Sequence, residues 1–214
     1  MKRLVIFTLF VSFVIFVANA GAGAIKAGDL ITLTYGSAHS GDGGEFRIIG
    51  PFSSYDFESF CIERDEYFNP GSIYKVASIT QQAFRGGVNT DSGDPLDDKT
   101  AWLYWMFRTN PTGLGYLNDE ASAGALQNAI WYIEQEISSG ISGQALAWYT
   151  AAVDADTNGW DNNGRVAVVN IVGRYSRPEC PDYKQDQLTL VPEPGSLLLL
   201  GLGLMGIGVL RRKQ

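Results

Sequence analysis

The two ends of this chain are apolar segments flanked by basic residues, and they fix how much of it is left to fold. Met1-Lys2-Arg3 is followed by an apolar stretch from Leu4 to Val17 and then Ala18-Asn19-Ala20. A basic start, a short apolar run and an A-x-A site make a secretory signal peptide, so residues 1–20 are expected to be removed after Ala20. At the other end Pro192-Glu193-Pro194 precedes an apolar run over residues 196–210, closed by Arg211, Arg212 and Lys213. As a helix that run spans about 22 Å, short of a hydrocarbon core of about 30 Å, so it is expected to be a thin transmembrane anchor. The basic cluster behind it is expected to stay on the cytoplasmic side. Gly201, Gly203, Gly206 and Gly208 lie inside this run, where small residues serve helix packing, and are not a dinucleotide fingerprint.

The order of triplet, apolar run and basic cluster resembles the PEP-CTERM sorting tail of Gram-negative bacteria. The resemblance covers residues 191–214 and implies an exosortase as processing partner, with signal peptidase acting at the N-terminus. It further implies export across the inner membrane, transient anchoring, and a final place at the cell surface or in the extracellular matrix.

Residues 21–190 are one domain's worth of chain. The whole sequence has 16 basic and 23 acidic residues; the ends hold five and one of these, leaving 11 against 22, a net charge of −11. So acidic a body argues against nucleic acid as a partner.

Alternation and turn signals predict strands at residues 30–35, 45–49, 57–63, 73–79, 165–172 and 186–191, with a Gly/Ser/Asp turn over residues 36–44. The middle of the chain reads as three helices. One is capped by Asp97 or Asp98 and stopped at Asn110-Pro111. A second is capped by Asn118 or Asp119, carries the stripe Ala125, Leu126, Ala129, Ile130, Ile133, Ile137, and closes at Gly140. The third starts at Ser142 and covers residues 145–153. The fold class is α+β: an antiparallel β-sandwich or barrel-like body with a helical insert.

The chemistry turns on cysteine. Cys61 lies in FESFCIER and Cys180 in SRPECPDY. In an oxidising compartment two cysteines suggest a Cys61–Cys180 disulfide. A second reading starts from Gln127 in LQNAIWYIE. F-C-I-E on a strand, followed by L-Q-x-A-I-W on a helix, resembles the thioester domains of bacterial surface adhesins, loosely over residues 29–190. That resemblance implies that Cys61 attacks the Gln127 amide, expels ammonia and leaves an internal thioester. An amine or hydroxyl group of a surface ligand or polysaccharide would then be captured in a single turnover. Glu63, two residues along the same strand face, is a candidate helper, and also reads as a solvated or paired carboxylate. Both cysteine readings stand at this point, as does a pair of inert thiols. Trp102 and Trp131 are expected in the core, and Glu134 is expected to be a solvent or salt-bridge group.

Asp154, Asp156, Asn158 and Asp161 in DADTNGWD imitate the front half of a calcium loop, but the twelfth position, where an EF-hand needs Glu, is Arg165. Calcium is therefore the one cofactor suggested, and a polar turn ending a helix is the other reading. Enzyme readings are poor. The single histidine, His39, has no nucleophile turn beside it, one histidine and two distant cysteines make no zinc site, and carboxylates as close as Glu63 and Asp65 cannot flank a sugar. Sequence thus points to a non-enzymatic surface or biofilm-matrix protein, engaged either by covalent capture or as a passive structural or carbohydrate-binding partner. A polysaccharide hydrolase is a remote third.

Overall fold

A computed structural model describes residues 24–41, 43–87 and 93–192. The expected signal peptide, Glu193, Pro194, the apolar run and the basic cluster lie outside the described residues. The first strands follow their alternation: in β1 (Leu30–Ser40) and β2 (Gly43–Ile49), Ile31, Leu33, Phe46 and Ile48 are buried on one face, while Thr32, Thr34 and Arg47 take the other. β3 (Asp56–Ser59) and β4 (Ser72–Thr80) follow, then a short pair, β5 (Gln82–Ala83) with β6 (Asp94–Pro95). Helices α1 (Asp98–Thr109), α2 (Pro111–Leu114), α3 (Glu120–Ile133) and α4 (Gly143–Thr157) come next, and β7 (Val166–Gly173) and β8 (Tyr183–Leu190) end the domain.

Among the described residues the main sheet has six strands in the order β3-β2-β1-β4-β7-β8, every ladder antiparallel. It curls until its two edges meet. Leu188 N donates to Phe60 O at 3.0 Å, Ile62 N donates to Asp186 O at 3.2 Å, and Cys61 faces Gln187 in a single antiparallel bridge. Of the expected sandwich or barrel-like body, the antiparallel sheet is found as one curled sheet, stitched at one point and not closed into a full barrel ladder. Its inner face gathers Ile31, Leu33, Phe46, Ile48, Val76, Val169 and Ile171; the helices cover Phe60, Ile62, Val166, Val168 and Leu188 on the other face. β7 lies between these two clusters, which is why it is buried throughout and, Asn170 apart, apolar rather than alternating.

Helices α1 and α3 start where capping chemistry places them. Asp97 accepts from Lys99 N at 2.8 Å, and Asp119 accepts from Ser122 N at 2.7 Å while its own N–H donates to Ser122 Oγ at 3.2 Å. The described residues hold four helices rather than the expected three. The extra one is the single turn α2, which Pro111 opens after Asn110, and Gly115 closes it at φ +77°. Two boundaries are also corrected. α3 ends at Ile133, with Gln135 at φ +63°, and residues 36–44 are not an open turn, because β1 continues through a bulge to Ser40.

Candidate functional site

The β2–β3 ladder stops at Phe46 opposite Ser59. Beyond it the strands separate, and the side chain of Gln127 from α3 fills the gap. Its Oε1 accepts from Cys61 N at 3.3 Å and from Gly44 N at 3.4 Å, and its Nε2 donates to Cys61 O at 2.8 Å. The carboxamide thus pairs with Cys61 as a peptide group of a neighbouring strand would. Cys61 is free to do this because its bridge to Gln187 is flanked by, and not made of, hydrogen bonds, leaving its own N–H and C=O pointing away from β8.

The helix approaches this closely because β2 begins with two glycines. A Cβ at Gly43 would lie 2.6 Å from the Trp131 ring and 2.7 Å from Gln127 Cγ. Glycine inside a strand pattern signals such backbone approach, and here it is what admits Gln127. Ala123, Gln127 and Trp131 stand at four-residue spacing, so one face of α3 carries all three to the hairpin and the seam.

The Cys61 thiol donates to Gln127 Oε1 at 3.3 Å, and both side chains are buried, at 0% and 1% exposure. Burial pushes the thiol well above its ordinary pKa. The Trp131 indole beside it offsets part of that rise, while the charges of Glu63 and Glu136 add to it. The indole N–H makes no full hydrogen bond among the described residues. The result is a dry nucleophile beside a carbonyl whose oxygen is held by two main-chain N–H groups and whose nitrogen is held by a main-chain carbonyl. Such an arrangement suits acyl transfer onto sulfur.

Glu63 is placed otherwise than a helper would be. Its Oε1 accepts from Arg85 N and its Oε2 from Asp186 N, both at 2.8 Å, so the carboxyl is committed to joining the segment beyond β3 to β8 and to the chain after β5. Burial, then the charge of Asp186, push it up to about 9. Asp186 in turn accepts from Phe84 N, Ile171 N and Asn170 Nδ2 at 2.7–2.8 Å. Glu134, expected to be a solvent or salt-bridge group, is 3% exposed and accepts from Asp97 N at 3.2 Å; burial leads the causes that raise it to about 8.

Two further expectations are corrected. Both cysteines are free: Cys61 is buried against Gln127, Cys180 is exposed in the turn before β8, and the disulfide is not made. The calcium reading fails because α4 runs on to Thr157. Asp154 and Asp156 are two positions apart on a helix and do not face one another, Asn158 Nδ2 donates back to Asp154 O at 2.7 Å, and Asp161 pairs with Arg165. Among the described residues no group of three His, Cys, Asp or Glu is placed to hold a metal. Sequence reasoning passed over Gly43, Gly44 and Gln187. The glycines carried a signal, as a Gly pair opening a β-rich run, whereas Gln187 carried none until the sheet edges were joined.

Among known protein families, residues 190–213 match the PEP-CTERM protein-sorting motif. The chain therefore carries a sorting signal read by an exosortase, which implies export, transient membrane anchoring and delivery to the cell surface or matrix. Pro192, the described residue of the triplet, is exposed just beyond β8, where the chain leaves the domain. No helix among the described residues is long and apolar enough to cross a membrane. Neither the curated proteins nor the solved structures offer a match to the chain.

Proposed function

We propose that this exported protein forms an intramolecular thioester between Cys61 and Gln127 and uses it once, to attach covalently to an amine- or hydroxyl-bearing partner in adhesion or matrix association. The observation that carries the reading is the Gln127 carboxamide, held at both ends by Cys61 with its oxygen 3.3 Å from Sγ. In the first step sulfur bonds to Gln127 Cδ, the Cδ–Nε2 bond breaks, and the thiol proton leaves with nitrogen as ammonia. Gly44 N and Cys61 N would hold the oxygen as it gains charge. Burial protects the product, because water reaching a thioester would hydrolyse it uselessly. Capture spends the bond, so the protein is not a turnover enzyme on this reading.

Intact mass of the exported chain, kept from amines and reductant, tests this. The thioester lowers the mass by about 17 Da, methylamine then adds about 31 Da, and Cys61→Ala removes both effects. A deficit of about 2 Da, cleared by reductant, would instead mean a disulfide and sink the proposal. Cys180→Ser is expected to leave the 17 Da deficit intact and to change stability by less than about 0.5 kcal/mol, as for an ordinary surface substitution.

A further inference from the structure

Gln187 stands directly opposite Cys61 in the bridge that joins the sheet edges. In a pair of this kind, with hydrogen bonds on either side of it and none within it, the two side chains lie on the same face with Cβ atoms about 4.5–5.5 Å apart. Gln187 is 0% exposed, and neither its Oε1 nor its Nε2 has a hydrogen-bond partner among the described residues. Trp131 Nε1 is a further buried polar atom without one, at 7% residue exposure. Buried amides and indoles are almost always paired, because an unpaired one carries its full desolvation cost. Here two such groups flank one sulfur.

We propose that Gln187 and Trp131 are donors to the Cys61 sulfur that bind it fully only when it carries negative charge. The inference rests on the thioester reading. In capture by an amine, nitrogen bonds to Gln127 Cδ, the Cδ–Sγ bond breaks with its electron pair on sulfur, and the proton lost by nitrogen ends on sulfur, restoring the thiol. Neither thioester sulfur nor thiol sulfur accepts hydrogen bonds well, so both N–H groups are poorly used before and after the step. The charged sulfur in between satisfies them. Donors that gain a partner only in the transition state accelerate the step rather than stabilise the resting protein. Formation of the thioester passes through the same charged sulfur and uses the same pair.

The test uses the full chain, purified in detergent without amines or reductant, as wild type, Gln187→Met and Trp131→Phe. Methylamine capture is followed by intact mass, and thermal unfolding is recorded on the same samples. Gln187→Met should slow capture about 100-fold. Its melting temperature should hold or rise, because an apolar side chain of similar size replaces an unpaired amide. A folded variant carrying little or no 17 Da deficit would support the same role in formation. A lower melting temperature with an unchanged capture rate would overturn it and make Gln187 a packing residue. Should Gln187→Met fail to fold, Trp131→Phe, which keeps a ring and loses the N–H, decides the matter by the same two readouts. A wild type without the deficit overturns the thioester reading, and this inference with it.

Discussion

Gly43→Val will abolish thioester formation while leaving both reacting residues in the sequence. A Cβ at this position would fall 2.6 Å from the Trp131 ring and 2.7 Å from Gln127 Cγ, separations real Cβ atoms essentially never show. One of three things must give: the β1–β2 hairpin, the indole or the glutamine. Each takes the carboxamide away from Cys61, since Gly44 N, one residue along, is among the donors that hold Oε1. Overpacking of a core contact costs about 1–3 kcal/mol, and a displacement of about 1 Å in reacting atoms costs about 100-fold in rate. The expected result is a folded but less stable protein whose mass shows no deficit of about 17 Da. Gly41→Val is the control, because a Cβ there meets no atom within 4 Å, although its φ of +53° adds local strain. If Gly43→Val formed the thioester at the wild-type rate, the close approach would be incidental to the site.

How far the sequence discloses this structure depends on the range of each interaction. Ile31 and Leu33 alternate with threonines and became a half-buried strand as their period requires. Asp97 and Asp119 cap α1 and α3 through bonds that reach two or three residues, so they too were readable. The stretch 36–44 misled because its Gly, Ser and Asp content is that of a loop. Its glycines serve instead to let α3 close on the hairpin, which depends on a helix some 80 residues away. DADTNG misled for the opposite reason: local polarity imitated a ligand set, but the helical pitch of α4 separates Asp154 from Asp156. The Cys61–Gln127 pairing was suggested only through a resemblance, since nothing local joins a strand residue to a helix residue 66 positions on. Gln187, whose neighbour Asp186 bonds to Glu63 across 123 positions, could be understood only once the sheet had curled.

That same seam should make the protein less stable as pH rises. Three buried carboxyls hold their protons more tightly in the folded state than at their ordinary values of 4.5, 4.5 and 3.8: Glu63 up to about 9, Glu134 up to about 8 and Asp186 up to about 7, burial being the leading cause in each. The unfolded chain releases those protons between about pH 4 and 5, the folded chain only well above, so the folded state binds more protons throughout the interval. Their contribution is therefore complete in mild acid and is lost as pH climbs through the folded values. In the Glu63–Asp186 pair, Asp186 carries the charge, because three N–H groups converge on it, and Glu63 keeps the proton longest. Asp56, lowered by its bond to Arg47, acts in the opposite direction and loses its contribution as pH falls below the ordinary carboxylate range. The balance places maximum stability in mild acid, with stability falling progressively towards pH 9. Denaturant midpoints at pH 5, 7 and 9 measure it, and Glu63→Gln should flatten the upper half of the curve. A midpoint that holds level or rises from pH 5 to 9 would mean the main-chain N–H bonds outweigh burial at these carboxyls. Glu63 and Asp186 flank the Cys61–Gln187 bridge, so the loosening should begin there. In a Gln127→Ala variant, with the thiol free, Cys61 should accordingly become reactive towards a thiol reagent at pH 9 before the domain as a whole unfolds.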